Sequence, residues 1–188
     1  VLHRGVDDAV DSDLAALKGI FFTGRILKRS PAELEAIFQE VRARLHEEVN
    51  YALEADHLDF FSEGLSCVEG VRVPRPIREH CTQRVLTMER MPGVPLDTFL
   101  QHSSPEARQR AGLALAESFH QMVYELRALN ADPHAGNYLF TPEGEVSLLD
   151  FGCVRRYELE WIGLYARVGR AAVEGDKENV LTICERLG

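Results

Sequence analysis

The residues best suited to chemistry stand in two short segments, "ADPHAGNYLF" and "VSLLDFG". The first contains Asp132 and Asn137, and the second contains Asp150. Two carboxylates and one carboxamide offer only oxygen ligands, which a hard cation such as Mg²⁺ prefers, whereas zinc favours nitrogen and sulfur. These residue types therefore predict a magnesium site, provided that the fold brings the three side chains together.

A β-hairpin predicted between the two segments would bring them together. The runs "YLF" and "VSLL" flank "TPEGE", where Pro142 and Gly144 are typical of a tight turn. Antiparallel strands joined by such a turn place Asn137, just before the first strand, beside Asp150, just after the second. Asp132 lies on the preceding loop and is expected at the same end.

The same layout occurs in the catalytic machinery of protein kinases. There a loop Asp meets the acceptor, a following Asn binds metal, and the Asp of Asp-Phe-Gly holds the metal that bridges the nucleotide phosphates. The string D-P-H-A-G-N, followed by D-F-G, matches this layout. ATP and Mg²⁺ are therefore the expected ligands, and phosphoryl transfer is the expected chemistry.

Long helices and a few strands are predicted to position these residues. Apolar residues at three- and four-residue steps predict a single helix of about 30 residues, starting at Ser30 and running to Phe61. Turn residues and periodicity predict the remaining elements: helices over 11–27 and 105–128, strands over 71–77 and 84–91, and a helical tail from 158 that breaks near Gly175.

Composition argues against a nucleic-acid binder. Lys and Arg number 21 against 30 Asp and Glu, a net charge of -9, whereas nucleic-acid binding normally needs a basic face. No apolar run approaches the roughly 20 residues of a membrane-spanning helix, and residues 1–10 lack a signal-peptide layout. The cysteines form no Cys-x-x-Cys pair, which predicts buried, reduced thiols: Cys67, Cys81, Cys153 and Cys184.

Together the two segments resemble the catalytic and metal-binding motifs of the UbiB family of atypical kinase-like proteins, also called the ABC-one or aarF family. The segment "EEVNYALEA" (47–55) is similar to that family's Glu-x-Asp followed by Arg-Glu-Ala, and "RVLTMERMPGVPL" is similar to its intervening sequence. The resemblance covers nearly the whole chain. It implies an α+β, protein kinase-like fold, with an incomplete small lobe over 1–91 and a mainly helical large lobe over 92–188.

The resemblance also implies a role for each matching residue. Asp132 would be the catalytic-loop Asp. Asn137 and Asp150 would bind metal, with Asp150 holding Mg²⁺ against the nucleotide phosphates. The remaining implied roles concern the nucleotide: Glu48 would pair with the nucleotide-site Lys, Glu54 would contact the family's Lys-x-Gly-Gln element, and the backbone from Glu89 to Met91 would meet adenine.

The chain departs from the family pattern at two positions. Asn50 stands where Glu-x-Asp has its Asp, and Leu53 replaces the Arg of Arg-Glu-Ala. In addition, "VLHRGV" resembles the piece that directly follows the strand bearing the nucleotide-site Lys. We therefore expect this Lys, the Ala-rich loop and the Lys-x-Gly-Gln element to lie outside these 188 residues, and little phosphotransfer from this chain alone.

Three functions fit the motifs. The first is an ATP-dependent kinase or ATPase, which the resemblance links to ubiquinone or other isoprenoid-lipid metabolism. The second is a small-molecule phosphotransferase of the aminoglycoside or choline kinase type, and the third is a catalytically silent nucleotide-binding regulator. The resemblance implies a cytoplasmic protein, peripheral to a membrane, or an organelle-matrix protein in a eukaryote. It also implies isoprenoid-lipid or membrane contacts and partner proteins of lipid biosynthesis.

Other polar residues have simpler interpretations. Glu48 and Glu54 could form a solvated helix face if the resemblance were set aside. His134 is predicted to support the loop through hydrogen bonds instead of binding metal, and His57 to be a surface or packing residue. Phe151 is predicted to lie in the core beneath the loop.

Overall fold

The computed structural model describes residues 12, 14–16, 31–48 and 50–187. The described residues form helices and strands in this order: α1 (Pro31–Glu48), α2 (Tyr51–Gly64), β1 (Val71–Arg72), α3 (Leu96–His102), α4 (Pro105–His120), β2 (Ala128–Asn130), β3 (Tyr138–Phe140), β4 (Val146–Leu148), β5 (Val154–Arg156), α5 (Leu159–Glu174) and α6 (Lys177–Leu187). The predicted helix over 11–27 falls almost entirely outside the described residues.

The prediction of one long helix ending near Phe61 is wrong, because the chain forms two helices there. Asn50 lies between α1 and α2 with φ -103 and ψ 86, outside the helical region. Its side chain accepts a hydrogen bond from the backbone N–H of Leu53 at 3.3 Å, as an N-cap does. An Asp side chain can accept the same hydrogen bond, so Asn and Asp are equally able to cap a helix at this position.

The two predicted strands over 71–77 and 84–91 are largely absent. Only Val71–Arg72 forms a strand, and a single bridge joins Pro76 to Met88. The physical reason lies in Pro74 and Pro76, since proline has no backbone N–H to continue a ladder.

Helix α4 begins at Pro105 as predicted but ends earlier than residue 128. Ser104 caps it by accepting from the backbone N–H of Ala107 at 3.1 Å. The chain then forms a π-helical turn at Gln121–Glu125, and Arg127 adopts a left-handed φ of 52. This reversal ends the helical path, so that residue 128 starts strand β2 instead of ending a helix.

The predicted hairpin is confirmed. Strands β3 and β4 pair antiparallel, with Tyr138 opposite Leu148 and Phe140 opposite Val146. Strand β1 joins the other edge of β4 in parallel. Gly144 in the turn has φ 92, and a Cβ there would lie 2.3 Å from the carbonyl oxygen of Ala107, so the turn requires glycine.

A second, two-stranded sheet was not predicted from the sequence. Strands β2 and β5 pair antiparallel, with Asn130 opposite Val154. The backbone N–H of Ala131 extends the pairing by donating to the carbonyl oxygen of Cys153 at 2.8 Å. The segment that contains Asp132 and the segment that follows Asp150 are thus joined on a second side.

The core of the chain lies between α2, α4 and the hairpin. Its fully buried members come from both sides of the predicted domain boundary at residue 91: Leu58, Phe61, Ala128, Val146 and Phe151, each 0% exposed. The predicted position of Phe151 in the core is therefore confirmed. The predicted break near Gly175 is also confirmed, because this residue ends α5 with φ 75.

The four cysteines are all free thiols, as predicted, but they are not buried. Cys67 and Cys184 are exposed, and the other two are half-buried. Among the described residues, no helix is long and apolar enough to cross a membrane.

Candidate active site

The hairpin brings Asn137 and Asp150 to the same end. The backbone N–H of Leu149 donates to the carbonyl oxygen of Asn137 at 2.9 Å, so pairing continues one step beyond the strands. Asp150 follows immediately. The structure therefore places these two residues at the same end of the hairpin, as the hairpin prediction requires.

Asp132 is in direct contact with Asn137. The Asn137 amide nitrogen lies 3.2 Å from Asp132 Oδ2 and 3.3 Å from the Asp132 carbonyl oxygen. Because the amide nitrogen faces Asp132, the side-chain carbonyl oxygen of Asn137 makes neither of these two hydrogen bonds. Asp132 itself is exposed, so its other carboxylate oxygen is accessible to an acceptor molecule.

His134 stabilises the turn between these two residues. Its Nδ1 accepts a hydrogen bond from the backbone N–H of Gly136 at 3.1 Å and so caps the 3₁₀ turn at Ala135–Asn137. This contact matches the supporting role that was predicted for His134.

Asn130 links the two halves of the site and was missed by the sequence analysis. Its amide nitrogen donates to the carbonyl oxygen of Asp150 at 2.6 Å, and its Oδ1 accepts from the backbone N–H of Asp132 at 3.1 Å. The residue is only 8% exposed. In the sequence, Asn130 is only a polar residue two positions before Asp132. Its role could not be predicted because strand β2, on which it lies, was not predicted either.

Asp150 is oriented by its own loop. Its Oδ1 accepts a hydrogen bond from the backbone N–H of Gly152 at 2.8 Å. A Cβ on Gly152 would lie 3.3 Å from this oxygen, closer than ordinary contacts, and 3.9 Å from Glu54 Oε2. The small residue thus lets the Asp150 and Glu54 carboxylates approach the same point.

Glu54 therefore belongs to this site, on the face of α2 that covers the Asp-Phe-Gly loop. Its pKa is raised from 4.5 to about 7, chiefly by burial and additionally by the Asp150 carboxylate, while a hydrogen bond with the Phe151 backbone acts in the opposite direction. The predicted contact of Glu54 with a Lys-x-Gly-Gln element stays a prediction.

The raised pKa of Glu54 predicts a pH-dependent stability in metal-free buffer. The folded protein holds a proton that the unfolded chain releases, so this carboxyl's contribution is fully present below about pH 4.5 and is lost as the pH rises through about 7. The free energy of unfolding of wild type should therefore fall relative to that of Glu54→Gln across this window, as measured by urea denaturation.

Glu174→Gln is the matched control, because Glu174 is an exposed acid at the end of α5. Its unfolding curve should follow that of wild type at every pH. Parallel pH profiles for wild type and Glu54→Gln would contradict the prediction.

Asp132 also affects a neighbouring phenol. Burial raises the pKa of Tyr138, and the Asp132 carboxylate raises it further. Tyr138 therefore stays neutral at physiological pH and contributes no charge to the site.

The structure does not bring Glu89 and Met91 to this cluster, and it does not describe the Glu48 side chain. Glu48 lies at the end of α1, and its side chain is outside the described part of the structure; the break at Asn50 also removes any continuous helix between Glu48 and Glu54. Glu89 pairs with Arg75, both through its backbone N–H and through Oε2, each at 3.0 Å. Glu89 and Met91 line a cavity of about 310 Å³ whose walls do not include Asp132, Asn137 or Asp150.

The site does not bring together a complete set of protein ligands for a metal. Within residues 12, 14–16, 31–48 and 50–187, no three His, Cys, Asp or Glu side chains are grouped so that they could hold an ion. The oxygens of Asn137 and Asp150 fit a cation that takes its remaining ligands from phosphate and water, as Mg²⁺ does.

The fold is of the kinase-like, α+β class. A solved structure titled "The complex structure of Rv3197-erythromycin from Mycobacterium tuberculosis" superposes with a TM-score of 0.76, over 98% of this chain and 46% of that chain, at 23% identity. At this identity the likeness shows the fold alone.

Sequence comparison shows the family. The ABC1 atypical kinase-like domain matches residues 1–184, and the chain belongs to that family. The resemblance to UbiB-type proteins is thereby confirmed.

Named relatives agree with this assignment. The chain is 32% identical to "Atypical kinase COQ8B, mitochondrial" of Rattus norvegicus, over 96% of this chain and 34% of the relative. It is 28% identical to "Atypical kinase coq-8, mitochondrial" of Caenorhabditis elegans, over 100% of this chain and 25% of the relative. A third relative, "Protein ACTIVITY OF BC1 COMPLEX KINASE 3, chloroplastic" of Arabidopsis thaliana, is 27% identical over 81% of this chain and 22% of its own length. The chain thus spans between 22% and 34% of the length of these relatives.

Proposed function

We propose that the protein binds ATP with Mg²⁺ at the cluster of Asp132, Asn137 and Asp150 and acts as an atypical kinase or ATPase. The observation that carries this proposal is that the three residues lie at one end of the hairpin. Asn137 contacts the Asp132 carboxylate, and the Asn130 side chain bonds to the backbones of both Asp132 and Asp150. In the pattern of kinases, oxygen donors so arranged hold metal against phosphates and orient an acceptor.

Each residue would have a distinct task. Asp150 would bind the metal through the carboxylate oxygen that does not face Gly152, and Asn137 would bind through its carbonyl oxygen. Asp132 would accept a hydrogen bond from the attacking hydroxyl or water and orient it. Bound Mg²⁺ would neutralise phosphate charge, and the negative site needs this neutralisation before a nucleotide can approach.

The nucleotide contacts form a second part of the proposal. Glu48 would pair with the nucleotide-site Lys, and the backbone from Glu89 to Met91 would meet adenine. The Val94 backbone forms two hydrogen bonds of 2.9 Å with that of Phe140, so the segment after Met91 is tied to the hairpin that carries the metal ligands. This tie supports a common site for base and phosphates.

The segment that follows Asp150 indicates what kind of phosphate acceptor the protein could use. Strand β5 starts at Val154, two residues beyond Gly152, and pairs at once with β2. Only Tyr157 and Glu158 separate β5 from α5, so there is no long loop in this part of the chain on which a peptide could lie. We infer that water or a small molecule is the acceptor, and the same observation keeps a small-molecule phosphotransferase as the second candidate.

We further propose that this activity supports ubiquinone or other isoprenoid-lipid metabolism, together with partner proteins of that metabolism. The support is the family to which the chain belongs. Rates of ADP release with and without vesicles that contain an isoprenoid lipid would test it, since a lipid-linked ATPase should be faster with them.

ADP release from ATP is the direct test of the proposed function. It is measured on a longer version of the protein that includes the nucleotide-site Lys, because little phosphotransfer is expected from these 188 residues alone, and wild type and variants below refer to that version. Asp132→Asn should lower the rate by about 100-fold, because a positioned carboxylate contributes roughly that much to proton transfer and orientation. Binding of a fluorescent nucleotide with Mg²⁺ should stay near that of wild type, because Asp132 is assigned to the acceptor.

The control is Asp176→Asn, at the turn before α6, where Asp176 Oδ1 accepts from the backbone N–H of Asn179 at 3.0 Å. An Asn can make this bond, so rate and binding should both be unchanged. Nucleotide binding without any ADP release in wild type would favour a silent regulator, and transfer to an added small alcohol would favour the second candidate.

A further inference from the structure

The peptide bond between Phe151 and Gly152 is held from both sides. His57 Nδ1 lies 2.9 Å from the Phe151 carbonyl oxygen, and the Gly152 N–H donates to Asp150 Oδ1 at 2.8 Å. A carbonyl oxygen can only accept a hydrogen bond, so His57 Nδ1 carries the proton.

These two hydrogen bonds act on one rigid unit. A peptide group is planar, and in the trans form its C=O and N–H point in opposite directions. A donor at the oxygen and an acceptor at the nitrogen therefore stop the plane from rotating. Hydrogen bonding at the oxygen also polarises the amide, which strengthens the N–H as a donor to Asp150.

Helix α2 supplies the rest of the support for Phe151. Glu54 contacts the backbone of Phe151, and the ring of Phe61 stacks on that of Phe151 with centroids 4.5 Å apart. His57 lies between Glu54 and Phe61 on the same face of the helix, three residues after the first. Among these three side chains of α2, His57 bonds to the Phe151–Gly152 peptide, and the N–H of that same peptide donates to Asp150.

We propose that His57 is a positioning residue for the Asp150 carboxylate. It holds the Phe151–Gly152 peptide so that Gly152 occupies Asp150 Oδ1 and the other oxygen is directed at the cation. The proposal rests on the proposed function in one respect, since it assumes that Asp150 binds a divalent cation.

Binding of Mn²⁺ in the presence of ADP, followed by electron paramagnetic resonance, tests the proposal. His57→Leu removes the donor and should weaken Mn²⁺ binding about tenfold, the usual cost of losing a partner that orients a ligand. In His57→Asn the amide nitrogen Nδ2 is attached to Cγ, as Nδ1 is in His, so a donor remains at the same distance along the side chain. This variant should bind Mn²⁺ nearly as well as wild type. Should His57→Leu fail to fold, His57→Gln, whose donor is one bond further out, takes its place with the same expected loss.

A second readout needs no metal. Phe151–Gly152 is the only Phe-Gly pair in the sequence, so labelling Phe carbonyls with ¹³C and Gly with ¹⁵N gives one resonance from this peptide. In His57→Leu both its carbonyl and its amide proton shifts should move in the direction of weaker hydrogen bonds, whereas His57→Asn should stay close to wild type.

The two readouts separate the possible outcomes. An unchanged Phe-Gly resonance in His57→Leu, equal Mn²⁺ affinity in that variant, or an equal loss in His57→Asn would overturn the proposal. If wild type itself bound no Mn²⁺ with ADP, the proposed function would fail, and with it the metal-site role of His57. The resonance would still report whether His57 holds this peptide.

Discussion

Asp150→Asn is expected to abolish Mg²⁺-dependent nucleotide binding. Loss of a residue that only orients a metal ligand lowers metal affinity by about 10- to 100-fold. Asp150 is assigned as the ligand itself, so removing its charge should lower Mg²⁺ affinity by at least about 100-fold. The Asn side chain can still accept from the Gly152 N–H, so the loop should keep its shape. Titration with a fluorescent nucleotide, with and without Mg²⁺, measures the effect.

The comparison with Asp176→Asn decides how specific the effect is. That variant makes the same chemical change beside a backbone N–H, at the turn before α6. It should bind Mg²⁺ and nucleotide as wild type does. Tight Mg²⁺-dependent binding that Asp150→Asn leaves unchanged would remove the metal site from the proposed function altogether.

Phe61→Ala is expected to lower the free energy of unfolding by about 3 to 5 kcal/mol, the usual cost of truncating a buried Phe. Phe61 is 0% exposed, stacks on Phe151 at 4.5 Å and meets the edge of Phe60 at 5.1 Å. The cavity would open directly beneath the Asp-Phe-Gly loop. Urea denaturation monitored by circular dichroism measures the change.

Phe119→Ala provides the matched comparison, because Phe119 is also on a helix but is 40% exposed. Its unfolding free energy should change by about 1 kcal/mol or less, since little apolar surface would be lost to a cavity. Similar losses in the two variants would show that the Phe61–Phe151 stack is not part of the stabilising core.

The sequence was sufficient for the part of the site that depends on local structure. Asn137 and Asp150 are joined by one short hairpin, and its turn residues and the two apolar runs beside them can be recognised without knowledge of the rest of the chain. Asp132 lies within a few residues of Asn137, so its approach follows from the same turn. The residue types then specify an oxygen-ligand site.

The remaining features depend on contacts between distant segments. Asn130 acquires its role only because β2 pairs with β5, and each of these strands is too short to show a pattern. His57 meets Phe151 across a separation of 94 residues. The break at Asn50 was hidden because the apolar pattern continues through it, although Asn is itself a common N-cap.

The anchoring of Phe151 has a consequence for the design of inhibitors. Some kinase ligands require the phenylalanine of Asp-Phe-Gly to leave its pocket. Here such a ligand would have to break the Phe61 stack, the hydrogen bond to His57 and the β2–β5 pairing, which begins three residues after Phe151. Such compounds would lose much of their binding energy to that rearrangement. Selective ligands for this protein should therefore be sought among molecules that fit the loop in its present, inward arrangement.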